Sequence, residues 1–183
     1  ETTANALTWT WYLLSQNPEA EKRLHAELDT VLGDRLPSVA DLEQLPYTRM
    51  VFVEAMRLYP PAWAISRRAR EDYEVGGYVV PAGAIVFVSQ YVMHHTARYY
   101  PEPFRFDPER WTEEAREARP KFSYFPFGGG PRACIGRTFA MMELVAELAM
   151  ILQRYELTPG GPVEPVAEVS LHPRGGLFLE VRP

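Results

Sequence analysis

The sequence predicts a mainly α-helical fold with small antiparallel β-sheets. Three observations carry that expectation. Apolar residues recur at helical spacing across most of the first sixty positions. Between Arg68 and Val88 the pattern changes to period two, punctuated by Gly76-Gly77 and Pro81-Ala82-Gly83. A strongly apolar helical run then occupies Arg137 to Tyr155. At 183 residues and 46% hydrophobic composition the chain has enough material for a real core and suits one domain, or a large part of one.

Residues 1–16 read as the C-terminal part of a helix, with Ala6, Leu7, Thr10, Trp11, Leu13 and Leu14 at helical spacing. Asn17-Pro18 stops it and opens the next, 18–32, which is apolar along Leu24, Leu28, Val31 and Leu32 and closed by Gly33. Ser38 caps a short helix that runs to Leu45. Pro46 opens another, which ends before Tyr59-Pro60-Pro61. Short strands are expected at 68–75, 78–80 and 84–88, and one helical turn at 91–95. Residues 96–111 read as an aromatic, proline-rich coil, and 112–119 as a charged surface helix or loop. The helix at 137–155 is expected to be deeply buried. In the tail, 166–171 and 177–181 fit an antiparallel pair of strands. No internal repeat or linker is visible.

Charge and cysteine usage narrow the function classes. The formal net charge is −5, which argues against nucleic acid as the main partner, because phosphate binding needs a basic face. A single cysteine cannot form an intrachain disulfide, so nothing points to an oxidising compartment. No apolar run approaches the length of a membrane span, and no signal peptide is visible. A cytoplasmic location is the expectation. The sequence opens at Glu1 in what reads as mid-helix, so it is expected to be a piece of a longer chain, and an anchor upstream of it stays open.

The only cysteine lies in Phe127-Gly128-Gly129-Gly130-Pro131-Arg132-Ala133-Cys134-Ile135-Gly136. The glycines and proline turn the chain sharply, and the apolar helix follows. A thiolate near a helix start gains from unpaired N–H groups and from the positive end of the dipole. Gly130 and Gly136 would permit φ > 0 or close backbone approach. Phe127 would keep water from the sulfur, and Arg132 is a fork-shaped cation suited to a carboxylate. Other chemistries fit poorly. A phosphate-binding loop needs Gly-Lys-[Ser/Thr] after its glycines. A cysteine phosphatase needs arginine six positions past Cys134, where Ala140 stands. A zinc site needs several close ligands, but His25, His94, His95 and His172 are scattered. A Cys–His nucleophile pair stays open on spacing alone.

A second constellation is Glu54 and Arg57, which share a helix face at i and i+3. Met50, Val51, Phe52, Val53, Ala55, Met56 and Leu58 surround them, so the pair is expected to be buried. A buried pair needs further partners to offset desolvation, and Arg110 in Pro108-Glu109-Arg110-Trp111 is the candidate.

Phe127, Gly130, Arg132, Cys134 and Gly136 match Phe-x-x-Gly-x-Arg-x-Cys-x-Gly at every fixed position. This resembles the heme-ligand loop of the cytochrome P450 superfamily, the heme-thiolate monooxygenases. Glu54-x-x-Arg57 and Arg110 resemble that family's structural triad, in the same order. Glu1-Thr2 resembles its acid–alcohol pair on the distal oxygen-binding helix. The resemblance covers essentially the whole chain and corresponds to the C-terminal part of that family's single domain, with the N-terminal part absent.

The resemblance implies the following. Cys134 would be the axial ligand of heme b. Phe127, Arg132 and Gly136 would border the cofactor, and Arg67, with Arg68 as rival, would bind a heme carboxylate. Thr2 would relay protons to dioxygen, with Glu1 feeding the relay. Pro61–Ser66, apolar at Ala62, Trp63, Ala64 and Ile65, would line the pocket for a lipophilic substrate, and the turn near Leu171-His172 would form another wall. His94 is taken as structural. The activity would be insertion of one oxygen atom from O2 into an apolar organic substrate. Electrons would come from a ferredoxin or flavoprotein reductase, docking on a basic patch of Arg119, Arg132 and Arg137, with NAD(P)H as ultimate donor. Two alternatives remain: a non-catalytic fragment unable to hold heme alone, or a heme-thiolate isomerase, dehydratase or peroxygenase.

Overall fold

The computed structural model describes residues 1–182. Helix α1 spans Thr2–Gln16 and α2 spans Pro18–Val31. Asn17 is the hinge between them. Its side-chain amide donates to the Leu13 carbonyl at 2.7 Å, and Pro18 takes the first helical position of α2. Gly33 closes α2 with φ +55° and donates to the Asp29 carbonyl. A short 3-10 helix, Val39–Gln44, follows a reciprocal cap between Ser38 and Asp41. Helix α3 spans Pro46–Leu58. Its free N–H groups are met from α2: the Glu27 carboxylate accepts from the Tyr47 and Thr48 amides at 2.7 and 2.8 Å.

The strands form four two-stranded antiparallel ladders. The run expected as one strand at 68–75 is two. Strand β1, Ile65–Arg68, pairs with β4, Ile85–Val88. Strand β2, Tyr73–Val75, pairs with β3, Tyr78–Val80. The chain changes partner at Ala69, whose N–H and carbonyl both bond to the Gly83–Ala84 turn at 2.9 Å. Gly76 and Gly77 join β2 to β3 with φ +58° and +81°, the two left-handed residues that a tight type I′ hairpin requires.

Helix α4, Gln90–His94, is capped by Ser89. The expected coil at 96–111 ends in a 3-10 turn at Pro108–Trp111, and the charged segment contains α5, Glu113–Glu117. Helix α6 spans Arg137–Leu152. It is not buried on most faces. Leu144, Val145, Leu148, Ala149 and Leu152 form one buried stripe, whereas Phe139 is 66% exposed and Met142 and Met150 also face outward. Uniform apolarity made its buried face unreadable from the sequence.

The tail also differs from expectation. Strand β5, Glu156–Pro159, pairs with β8, Leu179–Arg182. Strand β6, Pro165–Ala167, pairs with β7, Leu171–Pro173. Residues 166–171 therefore straddle a reversal, marked by the Glu168 N–H donating to the Ser170 carbonyl. The core sits where α1, α2, α3 and α6 meet, with Leu14, Leu28, Val51, Leu148 and Leu152 all inaccessible to solvent or nearly so. Each such side chain contributes roughly 1.5–3 kcal/mol on burial.

Candidate functional site

The buried ion pair organises the site. On α3 the Arg57 Nε and Nη2 each donate to a Glu54 oxygen at 2.8 Å, and both side chains are fully buried. Such a pair is costly unless the remaining donors and lone pairs are met, and here they are. Arg57 also donates to the carbonyls of His94, Pro103 and Arg105. Glu54 accepts from the Asp107 amide at 2.9 Å and from Trp111 Nε1 at 2.8 Å. The Arg110 guanidinium lies 3.5 Å from Glu54, and its Nη2 donates to the Glu102 carbonyl. The expected trio is thus assembled. Trp111, within the same Pro-Glu-Arg-Trp segment, is a further direct partner that the charge pattern did not reveal.

The network continues toward the cysteine. His94 is fully buried, and its Nε2 accepts from the Phe125 amide at 3.1 Å. Burial first, then the neighbouring Arg57 cation, push this imidazole down to about 3. Tyr100 donates from its hydroxyl to the Ser123 carbonyl, and Tyr124 from its hydroxyl to the Val53 carbonyl. Segment 123–125 is therefore pinned to α3 and to the coil before the cysteine loop begins.

Inside the loop, Gly128 donates to Phe125, Ala133 to Gly130 and Cys134 to Phe127, at 2.9–3.0 Å. Gly130 has φ +68°, so a side chain there is strained. Gly136 differs from the expectation. Its φ is −82°, and an added Cβ would meet Cys134 Sγ at 3.9 Å, an ordinary contact. Gly136 serves instead as the N-cap of α6. Cys134 lies two residues earlier and is exposed, beside a fully exposed Ile135. Phe127 packs against a cluster that includes Ala6, Phe52, Met56 and Leu144, so α1 and the loop share one apolar contact.

The other expected residues occupy separate elements, and among the described residues no hydrogen bond or ion pair joins them to the loop. Glu1 precedes α1, and its Oε1 accepts from Ser170 Oγ at 2.6 Å. Ser170 Oγ in turn accepts from Asn5 Nδ2 at 3.0 Å. Ser170, on the β6–β7 turn, is a partner that no local signal foretold. Arg67 sits on exposed β1 opposite Val86, and Arg68 reaches the Gly83 turn. Neither Arg67 nor Arg132 has a carboxylate partner among the described residues. The two predicted pocket walls do meet. Leu171 N–H donates to the Pro61 carbonyl, and Trp63 Nε1 donates to the Glu168 carbonyl at 2.9 Å. Arg119 is less free than a patch residue should be. It stacks over Trp111 and Tyr100, and its Nη2 donates to the Arg110 carbonyl.

The model of one family, Cytochrome P450, matches residues 1–179. The chain belongs to the cytochrome P450 family. It is similar to cyclooctatin synthase of Streptomyces melanosporofaciens, at 47% identity over 93% of this chain and 38% of that protein. Cyclooctat-9-en-7-ol 5-monooxygenase of the same organism is 42% identical over 87% of this chain and 35% of its own length. Protein LUTEIN DEFICIENT 5, chloroplastic, of Arabidopsis thaliana is 38% identical over 99% of this chain and 31% of its own. The chain therefore spans about a third of the length of these curated relatives. No helix among the described residues is long and apolar enough to cross a membrane.

P450 proteins carry heme b, and the residues present fit it. Among the described residues no three His, Cys, Asp or Glu side chains converge on one point. A lone thiolate suits an iron whose four equatorial nitrogens come with the macrocycle. Exposed apolar surface at Ile135 beside the sulfur suits a flat hydrocarbon ring. Two arginines without carboxylate partners suit the ring's carboxylates.

Proposed function

We propose that the protein is a heme-thiolate monooxygenase that inserts one oxygen atom from O2 into an apolar organic substrate. The observation that carries this reading is the sole cysteine, exposed on a loop whose preceding segment is tied to a fully buried Glu54–Arg57 pair. When bound, heme supplies redox chemistry that a thiolate ligand biases toward O–O cleavage. Cys134 holds that thiolate at Sγ. Arg67 and Arg132 orient the macrocycle by its carboxylates, and Phe127 keeps water from the sulfur. Glu1 and Thr2 move protons, Thr2 through Oγ1, with Ser170 fixing the Glu1 carboxylate. Ala62, Trp63, Ala64, Ile65 and the turn at Leu171 would form an apolar wall, which suits a lipophilic substrate. Two relatives take their names from cyclooctatin and cyclooctat-9-en-7-ol, and a substrate of comparable apolarity suits this wall.

Electrons come from a ferredoxin or flavoprotein reductase with an acidic docking face. A concave face of about 840 Å3 beside the loop is rimmed by Arg49, Arg116, Lys121 and Arg137, with Glu113 the one carboxylate among the described residues that line it. That cationic rim contrasts with a chain of net charge −5.

A second reading is that this stretch of chain alone does not retain heme. The exposure of both Cys134 and Ile135 favours it. Isotope tracing decides the chemistry. Heme-loaded protein supplied with 18O2, reductant, an electron carrier and a lipophilic alcohol should yield product bearing one 18O atom. Label arriving only from peroxide indicates a peroxygenase, and rearrangement or loss of water without oxygen gain indicates an isomerase or dehydratase. Failure to co-purify with heme supports the second reading.

A further inference from the structure

Three side-chain or backbone anchors tie the segment before the cysteine to the rest of the molecule: Tyr100 to Ser123, Tyr124 to Val53, and His94 to Phe125. The His94 anchor lies nearest to Cys134 in the chain. It is also the one that captures a backbone N–H of the segment. From there the bonding runs inward: the Phe125 carbonyl holds Gly128, and the Phe127 carbonyl holds Cys134 at 2.9 Å. At its other end, His94 offers its own carbonyl to Arg57 Nη1 at 2.9 Å. One residue thus touches both the buried ion pair and the cysteine segment.

We propose that His94 is a positioning residue: its Nε2 lone pair sets the Phe125–Cys134 loop against the Glu54–Arg57 pair, fixing where the Cys134 sulfur stands. The inference rests on the heme-thiolate reading only for its second measurement below.

The chemistry of the ring supports this role over plain packing. His94 is enclosed by the rings of Tyr124 and Phe125, at centroid distances of 4.9 and 5.5 Å. A phenylalanine or leucine would fill that space without desolvating a polar group. The imidazole carries the cost of a buried Nδ1 with no hydrogen-bond partner among the described residues. An acceptor at Nε2 requires the neutral ring with its proton on Nδ1. The ring's depressed basicity keeps it in that form near neutral pH. Its retention of polarity is explained by the Phe125 amide, which would otherwise be a buried donor with no partner.

Two variants test this. His94→Phe keeps a ring and removes the acceptor, and His94→Gln restores an acceptor at a similar reach. Amide hydrogen exchange comes first, on the protein without added cofactor. The expected result for His94→Phe is about tenfold faster exchange at Phe125 and Cys134, the loss of roughly one net hydrogen bond. Protection in α1 and α2 stays unchanged, and His94→Gln recovers most of the loss. The second measurement is the Soret band of the heme-loaded, reduced, CO-bound protein. In His94→Phe part of the red-shifted thiolate band gives way to the unshifted form, and His94→Gln reverses this. Exchange at Phe125 and Cys134 equal to wild type overturns the inference. So does a uniform loss of protection across every helix that glutamine fails to rescue, since that marks a merely structural residue. A wild-type protein with no red-shifted band sinks the heme-thiolate reading instead, and the exchange measurement then decides the role of His94 alone.

Discussion

Glu54 and Arg57 bond to each other twice and to five further groups, and the cost of losing either is correspondingly large. Arg57→Ala leaves the Glu54 carboxylate buried opposite only Asp107, Arg110 and Trp111. It also frees three carbonyls. A destabilisation of about 3–5 kcal/mol follows, read as a shift in the urea midpoint. Trp111→Phe removes one hydrogen bond from the same carboxylate and should cost only about 1–2 kcal/mol. Equal effects from the two changes would show that Arg57 is not the centre of the network. His94 adds a pH dependence with a definite sign. The folded protein holds the imidazole down to about 3, against about 6.5 in an unfolded chain. The unfolded state binds more protons between those values. The stability is therefore complete above about pH 6.5 and is lost as pH falls toward 3, with a slope of up to ~1.4 kcal/mol per unit. The stability difference between wild type and His94→Phe should be flat above pH 7 and shrink below it. A difference constant down to pH 4 contradicts the assignment. At this scale the ion pair was legible because seven apolar residues surround it on one helix. The tie from His94 to Phe125 was not, because it joins positions 31 apart with no local pattern between them.

The elements were legible where chain chemistry is local. Asn17-Pro18, Ser38 and Gly33 mark their helix ends through capping, and Gly76-Gly77 marks a two-residue hairpin. Pairing in the tail was not, because β5 and β8 lie far apart in the chain and β6 and β7 flank a turn with alternating residues of their own. Gly160 is the hinge of the β5–β8 ladder. Its N–H donates to the Phe178 carbonyl at 3.0 Å, and an added Cβ would overlap that same carbonyl. Gly160→Ala should therefore open this ladder at a cost of about 1–3 kcal/mol. Hydrogen exchange should speed up at Thr158 and Glu180, which face each other across the ladder, while β6–β7 keeps its protection. Unchanged exchange at both positions would mean that the ladder closes without this approach. The unburied half of α6 was hidden for a different reason. An apolar helix carries no polar stripe to say which side faces out, and Phe139 and Met142 are exposed despite their composition.

Across the whole molecule, charge and apolar surface are unevenly spread. The net charge is −5, yet Arg49, Arg116, Lys121 and Arg137 rim the concave face beside the cysteine loop. If an acidic electron carrier docks there, raising ionic strength should weaken its binding. Arg116→Glu should slow association severalfold without altering the heme spectrum, measured by stopped-flow reduction. Salt-independent reduction would place docking elsewhere. Exposed apolar residues at Phe87, Ile135 and Phe139 were not foreseeable, because exposure depends on which chain segments are present around them. The functional reading depends on whether Cys134 binds heme iron through its sulfur. The most direct measurement is the Soret spectrum of the reduced, CO-bound protein, with Cys134→Ser alongside. A strongly red-shifted band in wild type, absent from the serine variant while heme is retained, is the predicted result. The same red-shifted band in both proteins would contradict it.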